Sequence, residues 1–279
     1  MDYKVCDNRI DVYGVEGFDL KDTLLCGQCF RFSENADGSF SGVAKDKAIT
    51  VKESEGVLSF YTDEDTFNEF WRGYFDLDLD YNNIKKELSV LHPMLKEAAD
   101  FAPGIRILRQ DPFEALVSFI ISQNNNIKRI SGIVDRLCAL CGEEIAEGVY
   151  AFPEVSKLSE LTAEDLAPIR AGFRARYIED AVKKVASGEV DLDSLKNLSY
   201  DDAKDELMKI TGVGVKVADC VLLYGFHKLE GFPLDVWMKR AMSVLFDGID
   251  GRSFGKYAGI AQQYIFHYAR LHPQLFENL

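Results

Sequence analysis

One lysine in the chain lies in a position that favours nucleophilic chemistry. Lys216 starts a helical pattern directly after a turn marked by Gly212 and Gly214. Glycine permits tight turns and close backbone approach, and a helix start offers unpaired N–H groups and a positive dipole end that suit a phosphate. That dipole, partial burial and nearby cations all disfavour the ammonium form, so the Lys216 amine is a candidate nucleophile. A Gly-x-Gly turn alone would indicate an ordinary loop with a solvated lysine.

A carboxylate follows nineteen residues after this lysine. Asp235 comes after Pro233 and directly before Val-Trp-Met-Lys-Arg-Ala-Met, which is another helical pattern. One role for Asp235 is therefore an N-cap, which stabilises a helix by about 1 kcal/mol. A second role is electrostatic, because a fixed carboxylate stabilises a positive charge that develops beside it. The two roles are compatible, since a capping carboxylate is rigidly held.

These residues resemble a known signature. Gly-Val-Gly-Val-Lys-Val-Ala-Asp-Cys, followed by Pro-Leu-Asp-Val, is similar to the helix–hairpin–helix of the 8-oxoguanine DNA glycosylase/AP lyase family. The resemblance implies base-excision repair, with 8-oxoguanine paired with cytosine removed from duplex DNA. It makes Lys216 the amine that forms a Schiff base at C1′ and nicks the abasic strand by β-elimination, with Asp235 beside the oxocarbenium-like state. Gly212, Gly214 and Val217 would form the phosphate-binding hairpin.

Two further segments resemble the family's loops around the extruded nucleotide, since a base inside a duplex must leave the stack to be reached. In Ser-Gln-Asn-Asn-Asn-Ile-Lys-Arg, the resemblance places Asn124 in the vacated gap and Arg129 on the opposite cytosine. In Ala-Gly-Phe-Arg-Ala-Arg-Tyr, it makes Phe173 a wedge beside the opposite strand and Arg174 the second cytosine contact. Each pattern alone also fits a polar helix N-terminus or a half-buried loop phenylalanine.

Two more segments resemble the pocket for the damaged base. Gly27 matches the glycine whose carbonyl accepts the N7–H that 8-oxoguanine has and guanine lacks, a difference of roughly 1–3 kcal/mol. Gln262 and Phe266 match the amide and the aromatic ring that contact the base, and their spacing of four places them on one helix face. Cys220 would pack against the flipped base, with Pro233 also in the pocket. Core packing is the alternative for Phe266.

The chain departs from the family that it resembles at Trp237, where many family members have a phosphate-contacting histidine. It also lacks the four-cysteine iron–sulfur loop of endonuclease III and the adenine glycosylases. Two other functions stay open. An alkylated-base glycosylase without lyase activity would use Asp235 alone, which the presence of Lys216 disfavours. A non-enzymatic hairpin module that only grips DNA is disfavoured by the pocket segments.

The six cysteines include two Cys-x-x-Cys pairs, at 26/29 and 138/141, a spacing also found in zinc sites. The second pair lies in an amphipathic helical pattern and no third cluster accompanies them, so we expect no metal. The expected reaction requires no cofactor. From the resemblance, we also expect a structural monovalent cation on the backbone carbonyls of the hairpin.

The net charge of −14 is unusual for a DNA-binding protein, because phosphate contacts need lysine and arginine. Residues 1–103 hold 11 basic and 21 acidic side chains, whereas residues 104–279 hold 21 and 25. An acidic N-terminal part that faces away from DNA would be compatible with a local basic surface elsewhere.

The expected partner is double-stranded DNA containing 8-oxoguanine:cytosine, bound by a monomer.

Local patterns change along the chain. Alternating apolar residues from 30 to 61, with turns at Asp37-Gly38 and Glu55-Gly56, predict antiparallel strands. Helical periodicity is predicted over 63–76, 80–100, 111–122, 125–141, 176–187, 200–209, 215–226, 235–246 and 254–269. We therefore expect an α+β domain at 1–103, TBP-like by resemblance, and a mainly helical domain at 104–279 with the hairpin at about 200–226.

The sequence has no apolar run of ~18 residues, and its start lacks the layout of a signal peptide. The expected location is the cytoplasm, associated with the nucleoid, in a bacterium, or the nucleus in a eukaryote.

Overall fold

A computed structural model describes residues 1–276, which form two compact units. The first unit comprises residues 1–28, 51–109 and 227–276, and the second comprises residues 29–50 and 110–226. The sequence predicts a domain boundary between residues 103 and 104. The two compact units are discontinuous in sequence, and this boundary stays a prediction.

The first unit contains antiparallel strands and helices. Arg9–Tyr13 pairs with Asp2–Cys6 on one side and with Val57–Phe60 on the other, and Val57–Phe60 also pairs with the end of Lys47–Ser54. The α-helices of this unit are Leu20–Leu25, Glu64–Thr66, Arg72–Tyr74, Tyr81–Ser89, Pro93–Phe101, Val236–Leu245 and Ala258–Leu271. A π-helical turn, Phe67–Trp71, and the 3₁₀ turns Gly251–Tyr257 and Pro273–Phe276 complete it.

The second unit is mainly helical. Its strands are Phe32–Glu34 paired with Phe40–Ala44, the start of Lys47–Ser54, and the two-stranded ribbon Glu144–Ala146 with Val149–Tyr150. Its α-helices are Pro112–Ser122, Ile127–Cys141, Val155–Leu158, Arg174–Ala186, Leu192–Leu195, Tyr200–Met208 and Val215–Phe226. A 3₁₀ turn lies at Ala167–Ile169.

The predicted fold class, an antiparallel sheet followed by mainly helical structure, is confirmed. The single helix predicted over 80–100 is wrong in detail, because Pro93 starts a new helix whose N-cap, His92, accepts a hydrogen bond from the Met94 N–H through Nδ1 at 3.2 Å. The strand Asp2–Cys6 was not predicted, since it is largely exposed and carries little apolar alternation. Within residues 1–276, no helix is long and apolar enough to cross a bilayer.

The charge asymmetry of the sequence does not follow the compact units. Counted over the whole sequence, residues 1–28, 51–109 and 227–279 hold 16 basic and 23 acidic side chains. Residues 29–50 and 110–226 hold the same numbers, 16 and 23. Each unit is therefore acidic by the same amount, and a DNA-binding surface must come from local arrangement of charge.

One buried carboxyl makes the stability of the second unit depend on pH. Glu114 Oε2 accepts the Lys45 backbone N–H at 2.8 Å, and Arg31 Nη1 lies 3.8 Å from Oε1. Burial raises the pKa of Glu114 from 4.5 to about 7, although the Arg31 charge opposes this shift. The folded state thus keeps a proton that the unfolded state releases, and the free energy of unfolding falls as the pH rises between these values, by about 3 kcal/mol.

We expect Glu114→Gln to remove this pH dependence. Urea unfolding of wild type and variant is measured at about pH 5 and at about pH 8. Between these two pH values, the unfolding free energy of the wild type should fall relative to that of the variant by about 2 kcal/mol. An equal difference at both pH values would contradict a protonated Glu114 in the folded state.

Candidate functional site

The hairpin between Tyr200–Met208 and Val215–Phe226 is a tight, supported turn. Gly212 adopts φ +83°, and a Cβ there would lie 2.3 Å from the Tyr177 ring. The Val213 N–H donates to the Ile210 carbonyl at 3.0 Å, and the Thr211 N–H donates to Asp180 at 2.7 Å. Glycine is thus required at position 212 by both backbone conformation and close packing.

The other two predicted hairpin residues are placed differently. A Cβ at Gly214 would meet no atom within 4 Å, so the protein's own packing does not require a glycine there. The Val217 side chain is buried, which leaves its backbone N–H in the first helical turn as the group that could meet a phosphate. Their predicted phosphate contact stays a prediction.

Lys216 is half-buried in the first turn of the hairpin helix, Val215–Phe226. Its Nζ donates to Ser122 Oγ at 3.3 Å, and Ser122 in turn donates its hydroxyl proton to the Phe119 carbonyl at 2.8 Å. The Lys216 Nζ also lies 5.4 Å from the centroid of the Phe119 ring. Among the described residues of its own unit, no carboxylate forms an ion pair with Lys216, an arrangement typical of a reactive amine rather than a salt bridge.

Ser122 is a positioning residue that the sequence did not single out. It begins the polar run Ser-Gln-Asn-Asn-Asn, but only the packing of Pro112–Ser122 beside the hairpin helix brings its hydroxyl to Lys216.

A buried ionic network holds the two hairpin helices together. Asp219 accepts the Tyr200 hydroxyl at 2.6 Å and pairs with Lys204 Nζ at 2.8 Å. Asp219 is only 5% exposed and lies three residues after Lys216, so it fixes the helix that carries the amine. Cys220 is also buried, on the next position of the same helix.

Arg174 donates hydrogen bonds to the asparagine loop, residues 123–126. Arg174 is 3% exposed, and its Nε donates to the Gln123 carbonyl at 2.8 Å. Its Nη2 donates to the carbonyls of Gln123 and Asn124, and Nη1 donates to Ala171. Asn124 is exposed in the left-handed conformation, with φ 47°. Arg174 therefore positions Asn124 in this structure, and its contact with cytosine stays a prediction.

Arg129 and Phe173 are more accessible than Arg174. Arg129 is exposed in the first turn of Ile127–Cys141, where its backbone N–H donates to the Asn126 side chain at 2.9 Å. Burial lowers the pKa of Arg174, and the positive charge of Arg129 lowers it further. Phe173 is 54% exposed and packs edge-on against Tyr177. The structure thus places Phe173, Arg174 and the loop with Asn124 in one part of the second unit, and Arg129 follows Asn124 by five residues in the chain.

In the first unit, Asp235 is the N-cap of Val236–Leu245. Its Oδ1 accepts the Met238 N–H at 2.8 Å, which confirms the predicted capping role. Pro233, two residues earlier, is buried. Trp237 is 41% exposed, with its ring edge-on to Phe276. The electrostatic role of Asp235 stays a prediction.

The segment around Gly27 is held by buried side-chain amides of the first unit. Gly27 adopts φ 97°, a conformation that favours glycine. Gln28 Nε2 donates to the carbonyls of Thr23 and Arg106, at 2.8 and 2.7 Å. Gln263 Nε2 donates to the Cys26 carbonyl at 3.3 Å. The backbone at Gly27 is therefore fixed on both sides.

Gln262 and Phe266 lie on the helix Ala258–Leu271 of the same unit. Gln262 is 4% exposed, yet its Oε1 has no hydrogen-bond partner among the described residues. A buried polar atom without a partner costs about 1–3 kcal/mol, so a ligand that donates to this oxygen would recover that loss. Phe266 is half-buried.

Within residues 1–276, no group of three histidine, cysteine or carboxylate side chains could hold a metal ion. Burial raises the pKa of Cys26 to about 11, of Cys138 to about 12 and of Cys141 to about 11. These thiols are protonated at neutral pH, and protonated thiols are poor metal ligands.

Comparisons with known proteins agree on one family. Residues 10–116 match a sequence model of the N-terminal domain of 8-oxoguanine DNA glycosylase, and residues 117–252 match a model of HhH-GPD superfamily base excision DNA repair proteins. A probable N-glycosylase/DNA lyase of Methanothermobacter thermautotrophicus is 30% identical over 80% of this chain and 82% of that protein. The N-glycosylase/DNA lyase of Saccharomyces cerevisiae is 36% identical over 79% of this chain and 66% of that protein.

Solved structures show the same relationship. The 8-oxoguanine glycosylase/lyase of Clostridium acetobutylicum, in complex with double-stranded DNA containing cytosine opposite 8-oxoguanine, is 41% identical with a TM-score of 0.94. The match covers 98% of this chain and 99% of that one. A 3-methyladenine DNA glycosylase of Archaeoglobus fulgidus, 19% identical with a TM-score of 0.72, shares the fold over 93% of this chain and 98% of that one.

Proposed function

Because the chain belongs to the 8-oxoguanine DNA glycosylase/AP lyase family, we propose that it removes 8-oxoguanine paired with cytosine from duplex DNA and then nicks the strand. The observation that carries this proposal is the Lys216 amine in the first turn of the hairpin helix, bonded to Ser122 Oγ at 3.3 Å. A glycosylase that only hydrolyses the base has no need of an amine at this place.

The proposed chemistry starts at C1′ of the damaged nucleotide. The C1′–N9 bond breaks and the purine leaves with the bonding electrons, while the Asp235 carboxylate stabilises the cationic sugar. The Lys216 amine bonds to C1′, and opening of the sugar ring gives an imine. Loss of a C2′ proton then breaks the C3′–O bond, the 3′ phosphate leaves, and water releases Lys216 from the imine.

Recognition of the lesion is proposed to involve the first unit. The Oε1 atom of Gln262 is buried without a partner, and such an acceptor suits a donor on the Watson–Crick edge of guanine. The Gly27 carbonyl is proposed to accept the N7–H of the oxidised base, with Phe266 against its ring. Pro233 and Cys220 are the remaining proposed pocket residues.

A single incubation tests the proposed function. The protein is mixed with a duplex containing one 8-oxoguanine:cytosine pair, and base release and strand cleavage are measured separately. We expect both products, with cleavage by β-elimination. Release of 3-methyladenine without cleavage would support an alkylated-base glycosylase, and binding without base release would support a simple DNA-binding module.

Arg129→Ala is expected to weaken discrimination between opposite bases. Arg129 is exposed and follows Asn124 by five residues, whereas the Arg174 donors already bind loop carbonyls. Loss of one arginine that can form two hydrogen bonds costs about 1–3 kcal/mol of discrimination. The ratio of excision opposite cytosine to excision opposite adenine should fall roughly ten- to a hundredfold.

The control for this experiment is Lys128→Ala, which alters the exposed neighbour of Arg129. A phosphate contact carries no sequence information, so this variant should weaken binding to every substrate alike and reduce the salt dependence. Equal excision opposite all four bases by the wild-type protein would exclude Arg129 as a cytosine contact.

The proposed reaction needs no cofactor, because Lys216 and Asp235 supply the required groups. We further propose that backbone carbonyls of the hairpin hold a structural monovalent cation. Replacing potassium by tetramethylammonium at constant ionic strength should then weaken duplex binding. We take the protein to act as a monomer on DNA, in the nucleoid of a bacterium or the nucleus of a eukaryote.

A further inference from the structure

Three side chains share one face of the helix Ala258–Leu271. Gln262, Phe266 and Arg270 are spaced four residues apart, so they follow one another along that face. Two of them carry a buried polar atom without a hydrogen-bond partner among the described residues, namely Gln262 Oε1 and Arg270 Nη1. An unpaired acceptor and an unpaired donor therefore lie on either side of an aromatic ring.

Arg270 is held in place through its other nitrogen. Its Nη2 donates to the Leu25 carbonyl at 2.9 Å, and its Cζ lies 5.9 Å from the centroid of the Phe266 ring. Leu25 is two residues before Gly27, so the guanidinium also adjoins the segment proposed to contact N7. The guanidinium group is rigid and planar, and anchoring one nitrogen fixes the direction of Nη1.

We infer that Arg270 is a further contact for the excised purine, with Nη1 donating to an acceptor atom of a base stacked on Phe266. This inference rests on the proposed function and extends it by one residue. Eight residues of helix span about 12 Å, so a base stacked on Phe266 would lie between Gln262 and Arg270 along the helix. A ligand in this position would satisfy both buried atoms.

The guanidinium would also act on the chemical step. When the C1′–N9 bond breaks, the electron pair moves onto the purine, which becomes negatively charged. A guanidinium group carries a permanent positive charge, so a preorganised positive donor would stabilise the leaving base more than the intact nucleotide. Its loss should therefore lower the rate of base release.

A phosphate of the extruded nucleotide offers the same acceptor chemistry as the base, so the experiment must separate them. The test variant is Arg270→Lys, which keeps the charge and a donor for Leu25 but loses the fork that holds Nη1. The control is Arg72→Lys, the same change at a surface arginine paired with Asp78 at 2.6 Å. The substrates are an 8-oxoguanine:cytosine duplex, a preformed abasic duplex and a duplex with a tetrahydrofuran abasic analogue.

We expect Arg270→Lys to slow single-turnover base release roughly ten- to a hundredfold. Nicking of the abasic duplex, affinity for the tetrahydrofuran duplex and melting temperature should stay within about twofold or a few degrees of wild type.

Equal losses on the tetrahydrofuran duplex would overturn the inference in favour of a phosphate contact. Wild-type rates in the variant, or a matching fall in melting temperature, would reduce Arg270 to a structural anchor. If the wild-type protein itself releases no 8-oxoguanine, the proposed function fails and the inference fails with it.

Discussion

Lys216→Gln is expected to yield no covalent protein–DNA adduct when borohydride is added during the reaction, whereas the wild-type protein should be trapped efficiently. Borohydride reduces an imine to a stable amine, so trapping reports the Schiff base directly. Glutamine can still donate a hydrogen bond to Ser122 Oγ, which accepts one from the Lys216 amine at 3.3 Å. The variant should therefore fold normally and bind the duplex, and the loss should fall on chemistry alone.

The matched control is Lys183→Gln on another helix of the same unit. Lys183 forms an exposed pair with Glu179 at 2.6 Å, and such surface pairs contribute little to stability. This variant should be trapped as well as wild type. An adduct of undiminished yield with the Lys216 variant would assign the nucleophile to a different amine.

The hairpin was predictable from sequence because its signals are local. Gly212 marks a positive φ, Lys216 follows at a fixed spacing, and Asp235 stands where an N-cap is expected. Each of these depends on the conformation of a few adjacent residues. The strand and helix patterns succeeded for the same reason, and the helix over 80–100 failed where Pro93 outweighed a continuous apolar periodicity.

The positioning residues were not predictable, because they depend on tertiary contacts. Ser122 meets Lys216 across 94 residues of sequence, and Arg174 reaches the Gln123 carbonyl across 51. Arg270 contacts the Leu25 carbonyl across 245 residues. No local pattern distinguishes Ser122 or Arg270 from an ordinary polar residue on a helix, and the pattern that singles out Arg174 predicts a cytosine contact rather than this positioning role. The unpaired atoms of Gln262 and Arg270 are likewise a property of packing, which sequence alone does not contain.

The role of Arg174 shows why residue type is not sufficient. The sequence places Arg129 and Arg174 together as cytosine contacts, and the positive charge of Arg129 lowers the pKa of Arg174. Their surroundings differ, since Arg129 is exposed and Arg174 is 3% exposed with its donors on backbone carbonyls. For Arg174 to contact cytosine, it would have to exchange those carbonyls for the base, and the position of Asn124 would change with it.

Asp235→Asn is expected to separate the two roles of this carboxylate. The Oδ1 atom that accepts the Met238 N–H at 2.8 Å survives as an amide oxygen, and asparagine caps a helix about as well as aspartate. The melting temperature should therefore change little, while base release from an 8-oxoguanine:cytosine duplex should fall by roughly two to three powers of ten, the scale for losing one preorganised electrostatic contact. Asp80→Asn provides the control, because Asp80 caps another helix of the same unit by accepting the Asn83 N–H at 2.9 Å. That variant should match wild type in both measurements. If Asp235→Asn lost stability and activity in proportion, the residue would be a helix cap only, and the charge that stabilises the sugar would have to come from another carboxylate.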